Sequence, residues 1–237
     1  MSNNDFDKGW LKVEGFLNRD TADLLYAHVL LAKRRLEVIT DNIDNMDQYT
    51  KEVYHQYTKE VHREDKRSST IIDNELGLWG TLEDGQANGN YSRYGDLIFD
   101  TLVLGKRKEL SKITQMNLVP QYSYYRLYTE GSELVKHKDR KSCEISLTLC
   151  IGYDSHYAWP IWFKDRDGNE IPIETERGDM VIYKGCELEH WREPFEGNEC
   201  VQVFLHYNNV KTKGAQENMF DGRLHIGLPG WFKNNGK

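Results

Sequence analysis

The chain has 237 residues and a net charge of −7, so it can build one substantial core and has no global basic field to attract nucleic acid. Hydrophobic residues make up 38% and charged residues 29%, an ordinary globular balance, and no apolar run of about 18 residues is present to cross a membrane. The first residues are polar and acidic and lack the pattern of a secretory signal. Cys143, Cys150, Cys186 and Cys200 form no C-x-x-C pair. They read as reduced residues within strands rather than disulfides or a zinc site, which predicts a cytoplasmic protein.

Gly15-Phe16-Leu17-Asn18 reads as a strand end entering a helix, with Asn18 as N-cap. Leu25, Val29, Ala32, Leu36 and Ile39 then form an apolar stripe at near-helical spacing, the face of a scaffold helix packed on a sheet. Residues 40–70 are polar with interleaved charge and predict a second, weaker helix and a loop. Gly80 to Gly95 is glycine- and asparagine-rich and reads as a lid or substrate loop. Asn90-Tyr91-Ser92 within it matches a glycosylation acceptor, which without a signal is read as chance. Ile98 to Ile113 predicts another helix.

From Pro120 onward the texture is that of strands: Tyr122–Tyr128, Val135–Asp139, Ile145–Tyr153, Trp159–Phe163, Met180–Tyr183 and Val201–Tyr207, separated by Gly-, Asp- and Asn-rich turns. Short strands after a helical region predict an α+β protein with a jelly-roll core buttressed by N-terminal helices. A single domain is expected over 1–237, with 1–119 as helical support and loops, 120–208 as the catalytic core and 209–237 as an extension.

Within the strands lies His137-Lys138-Asp139, and 53 residues later His190. Side chains on an extended strand alternate faces, so His137 and Asp139 can reach one metal from one strand while His190 approaches from another. Two imidazoles and one carboxylate make a facial triad suited to non-haem Fe(II), with coordination positions left open. Taken alone, the pair also fits a surface His beside a solvated Asp. The surrounding order adds specificity: Tyr128-x-x-Gly131 before the pair, the apolar strand Ile145–Leu149 after it, Gly178-Asp179 turning into Met180–Tyr183, then His190-x-x-x-Pro194.

This order resembles the Fe(II)/2-oxoglutarate-dependent dioxygenases, specifically the prolyl 4-hydroxylase-like branch of the double-stranded β-helix fold. The resemblance covers about residues 120–208. It implies that His137, Asp139 and His190 are the iron ligands, that Tyr128 borders the co-substrate pocket, and that 2-oxoglutarate and O2 are consumed. It further implies hydroxylation of a C–H bond in a peptidyl or free amino-acid substrate, or another small molecule. The branch usually places a basic residue nine to twelve positions after the distal His. Here those positions read Glu199, Cys200, Val201 and Gln202. Arg192 shares the face of His190 by strand alternation and is the candidate anchor for the far carboxylate of 2-oxoglutarate. Its alternative is a rim residue paired with Glu193 or Glu196, and Lys184 and Arg126 are competing anchors. Because that anchor departs from the pattern, a cupin-like metal protein without 2-oxoglutarate dependence stays open, as does a non-catalytic jelly-roll binding module. Trp191 should face away from the site, His156 and His206 read as structural histidines, and Arg140 with Glu144 is a candidate pair for orienting Asp139.

Overall fold

The computed structural model describes residues 5–42, 45, 80–82, 84–87, 89–230 and 232. The expected second helix and loop over 40–70, and the tail after Trp231, therefore lie almost wholly outside the described residues.

Among the described residues, ten strands form two antiparallel sheets. The strands are β1 (Trp10–Val13), β2 (Tyr91–Tyr94), β3 (Leu118–Thr129), β4 (Leu134–His137), β5 (Ile145–Asp154), β6 (Ile161–Lys164), β7 (Glu170–Ile173), β8 (Met180–Lys184), β9 (Glu189–Arg192) and β10 (Glu199–Asn209). The larger sheet runs β1-β8-β5-β10-β3-β2 and the smaller β4-β9-β6-β7. Consecutive strands cross repeatedly from one sheet to the other, as in a jelly roll.

Helix α1 (Arg19–Asn42) starts where Asn18 Oδ1 accepts the Thr21 amide at 2.8 Å, and α2 (Leu97–Thr114) starts where Asp96 accepts that of Ile98 at 3.0 Å. Gln115 then ends α2 in the left-handed region. Leu25 and Val29 of α1 and Phe99, Val103 and Leu110 of α2 join Leu147, Leu149, Ile151, Val203 and Leu205 of the larger sheet in one buried cluster. Gly152 is what brings α1 this close: a Cβ there would sit 2.4 Å from the Tyr26 ring. No helix among the described residues is long and apolar enough to cross a membrane.

Alternation fixes what faces inward. With Leu147, Leu149 and Ile151 turned to the helices, Ser146, Thr148 and Cys150 of β5 point toward the smaller sheet. By the same rule Cys200, Gln202, Phe204 and His206 of β10 point there too. The larger sheet thus presents a polar and aromatic inner face to β4 and β9.

Three expectations need correction. The second half of the Gly80–Gly95 loop is strand β2, which pairs with β3; its Tyr91, Ser92 and Tyr94 are buried, but glycine spacing masked that alternation. The strand expected over Val135–Asp139 is Leu134–His137 and stops before Asp139; its register with β9 shifts within it, between Leu134 and His137. Of the cysteines, only Cys150 and Cys200 lie in strands, while Cys143 is in a short 3-10 turn and Cys186 in a turn after β8. All four are free thiols.

Candidate metal centre and its cavity

His137 and His190 face each other as register partners of β4 and β9, with ring centroids 4.3 Å apart. Asp139 lies just past the strand, where its amide donates to the Gly185 carbonyl at 2.9 Å. Its Oδ1 is 3.7 Å from Nε2 of each histidine. The three side chains offer ligand atoms within 4.8 Å of one another, and they are the only such group of three among the described residues. The 3.7 Å separations between Asp139 Oδ1 and each histidine nitrogen leave room for a cation with bonds of about 2.0–2.2 Å to nitrogen and oxygen.

The protonation pattern also fits a metal. His137 Nδ1 donates to the Val135 carbonyl at 2.7 Å and His190 Nδ1 to that of Leu188 at 3.0 Å. Each Nδ1 must carry a proton because a carbonyl only accepts, so Nε2 is the nitrogen of each ring left to bind a metal. Burial pushes the His190 imidazole below its usual range, which keeps it neutral at pH 7.

Asp139 is held by groups that sequence reading missed. Its Oδ2 accepts from Ser146 Oγ at 2.7 Å. Gly185 packs against the same oxygen so closely that a Cβ would lie 2.2 Å from it. The expected Arg140–Glu144 pair does not form. Arg140 instead donates two hydrogen bonds to Asp221, at 2.8 and 2.9 Å, while Glu144 accepts from Asn209 N, Asn208 and Thr212. Asp221 is 81 positions from Arg140, a separation that no local motif reports.

A cavity of about 460 Å³ opens on the triad. Tyr122, Tyr124, Phe204 and His206 line it, as do Arg126 and Arg140. Both arginines are neutralised. Arg126 is buried, and its Nε lies 2.6 Å from Asp84 Oδ2 while Nη1 donates to the Tyr128 hydroxyl at 2.9 Å. Burial opposes the Asp84 charge, but the Arg126 guanidinium, the Gln86 amide and the Tyr124 hydroxyl outweigh it and hold the carboxyl below its ordinary range. Asp84 is the buried pin of the loop that forms this wall.

A carboxyl lowered in the folded state contributes stability above its unfolded value, about pH 4, and loses it as pH falls through the folded value. Asp84→Asn should remove that acid dependence and, by leaving Arg126 uncompensated, cost about 3 kcal/mol at pH 7. Urea unfolding from pH 3 to 7 checks this; wild-type stability in the variant at pH 7 would mean that other contacts hold the loop.

Arg192 is not a rim residue. It is 1% exposed and pairs with neither Glu193 nor Glu196. Its side chain lies between the sheets, with Nη1 donating to the Trp159 carbonyl at 2.7 Å, Nη2 to Thr148 Oγ1 at 3.4 Å, and the guanidinium 4.9 Å from the Trp159 ring centroid. Nε is buried without a partner, and among the described residues no carboxylate pairs with it. Of the competing anchors, Arg126 is taken by Asp84, and Lys184 lies toward Glu187 and the Phe6 ring. Tyr128 is fully buried behind the cavity wall, edge-on to Trp159 and tied to the cavity through Arg126. Trp191 stacks on Trp162 in the smaller sheet, and Lys136 lies over its ring.

No protein-family model matches the chain, and no curated protein matches it in sequence. Solved structures match it in fold. A prolyl-4-hydroxylase from Pseudomonas putida aligns at TM-score 0.54 and 15% identity, over 86% of this chain and 94% of that one. The viral collagen prolyl hydroxylase of Paramecium bursaria Chlorella virus-1, solved as a 2-oxoglutarate complex, aligns at 0.52 and 11%, over 86% and 98%. HygX from Streptomyces hygroscopicus, solved with nickel and 2-oxoglutarate bound, aligns at 0.51 and 11%, over 87% and 85%. The chain therefore shares the jelly-roll fold of these structures.

Proposed function

We propose that this protein is a non-haem Fe(II)/2-oxoglutarate-dependent oxygenase of the prolyl 4-hydroxylase-like kind. It hydroxylates a C–H bond in a peptidyl or free amino-acid substrate and converts 2-oxoglutarate and O2 to succinate and CO2. His137, Asp139 and His190 would hold the iron, which when bound supplies the oxidising chemistry.

The observation that carries the reading is Arg192. A buried guanidinium without a counter-ion is costly, and it persists where a ligand supplies the charge. It stands two residues along β9 from His190, about 6.6 Å of extended strand, a span comparable with a five-carbon dicarboxylate. Charge balance points the same way. A divalent cation, Asp139 and Arg192 sum to +2, which a dianion cancels. 2-Oxoglutarate has that charge and can chelate through its keto-acid end while its far carboxylate meets Arg192. The aromatic wall would then orient the substrate and exclude water from the reacting bond.

Anaerobic addition of Fe(II) and then 2-oxoglutarate should give the visible charge-transfer band of the chelate. His137→Ala should abolish the band, and Arg192→Ala should raise the 2-oxoglutarate concentration needed for it by about 100-fold. Iron binding with no band at any 2-oxoglutarate concentration would sink the co-substrate assignment.

A further inference from the structure

Ser146 of β5 and His206 of β10 are direct register partners across the larger sheet. Opposite His206, the register of β10 with β3 slips by one residue, an irregularity of the kind that re-aims side chains beside active sites. Ser146 Oγ lies 2.7 Å from Asp139 Oδ2, 3.0 Å from the Cys143 carbonyl and 2.9 Å from His206 Nδ1. A hydroxyl has one proton to give. If it went to Cys143, two oxygens 2.7 Å apart would face each other with no hydrogen between them, one of them carrying the carboxylate charge. The proton therefore lies toward Asp139. Ser146 must then receive a hydrogen bond from His206, which fixes His206 as the Nδ1–H tautomer. The three groups form a directed chain, His206 to Ser146 to Asp139.

We propose that Ser146 and His206 are positioning residues for the metal centre. By occupying Asp139 Oδ2 they leave Oδ1, the oxygen equidistant from the two histidine Nε2 atoms, as the one that binds the cation. The carboxylate is thereby kept to a single metal bond, and the opposite coordination positions stay free for co-substrate and oxygen. Without the chain, both carboxylate oxygens can swing to the cation. The tautomer also leaves His206 Nε2 as a hydrogen-bond acceptor on a ring that lines the cavity. This inference rests on the triad being a metal site, and the test separates the two ideas.

The experiment titrates the full-length protein with Co(II) alone and records the metal's visible bands. The wild type should bind one Co(II), and His137→Ala should not; a wild type that fails to bind would overturn the metal-site reading itself. Ser146→Ala should still bind, with affinity reduced about 10- to 100-fold and with bands changed in position and intensity as Asp139 becomes bidentate. Ser146→Thr, which keeps the hydroxyl, should restore both. His206→Phe should give a smaller shift in the same direction as Ser146→Ala. Circular dichroism confirms that each variant is folded. A folded Ser146→Ala protein with wild-type affinity and bands overturns the proposal, as does a Thr variant indistinguishable from Ala.

Discussion

Arg192→Met should make the ligand-free protein more stable and at the same time destroy its affinity for 2-oxoglutarate. A lone buried ion costs several kcal/mol even after relaxation, and replacing it with an apolar side chain of similar length removes that cost. Against this stands the loss of the Nη1 bond to the Trp159 carbonyl, about 1 kcal/mol. The balance favours the variant by about 2 kcal/mol, or about 6 °C in Tm for a chain of this size. With metal present, the 2-oxoglutarate Kd should rise more than about 100-fold, because the far carboxylate would enter an interior without a cation. Thermal melts of metal-free protein and 2-oxoglutarate titration of the metal-loaded form read the two effects separately. A variant that is less stable and binds 2-oxoglutarate normally would show that Arg192 serves packing alone.

Gly185→Ala should empty the metal site while leaving the fold standing. The new methyl would lie 2.2 Å from Asp139 Oδ2 and 2.4 Å from the Cys143 carbonyl, and the carbonyl is backbone, so the carboxylate must give way. Overpacking of this kind costs about 1–3 kcal/mol, which a chain of this size survives, but Asp139 cannot move without leaving the ligand position. The expected result is a loss of about 100-fold or more in metal affinity, with circular dichroism unchanged. Isothermal titration with Mn(II) measures it. Wild-type affinity would mean that the Asp139 segment can shift as a body.

What the sequence made legible was what depends on short-range pattern. His137, Asp139 and His190 could be nominated from residue type and spacing, the strands of the core from alternation, and the Asn18 cap from its position before an apolar stripe. Arg192 could be nominated by counting two residues from His190. That it is buried without a counter-ion depends on the smaller sheet closing over the larger, and this led to the competing rim reading. Ser146, His206 and Gly185 carry no local signature at all. Ser146 and His206 are 60 positions apart and meet only because β10 pairs with β5. Gly185 stands out only once Asp139 is seen beside it. The partner of Arg140 is illegible for the same reason: sequence offers Glu144, four residues away, and the fold brings in Asp221.

The order of strands in the larger sheet has a consequence for how the molecule is made. β10 is the last of the described strands in chain order, yet it occupies an interior place, paired along its length with β5 on one side and β3 on the other. Until residue 209 emerges, β3 and β5 have no common neighbour, and the halves of the sheet that flank the cavity stay unjoined. Sheets closed by such distant pairings form slowly and late. The nascent chain therefore carries both histidines and the aspartate well before it has an enclosed chamber around them. Pairing of β10 with both neighbours closes that chamber and also delivers His206 to Ser146.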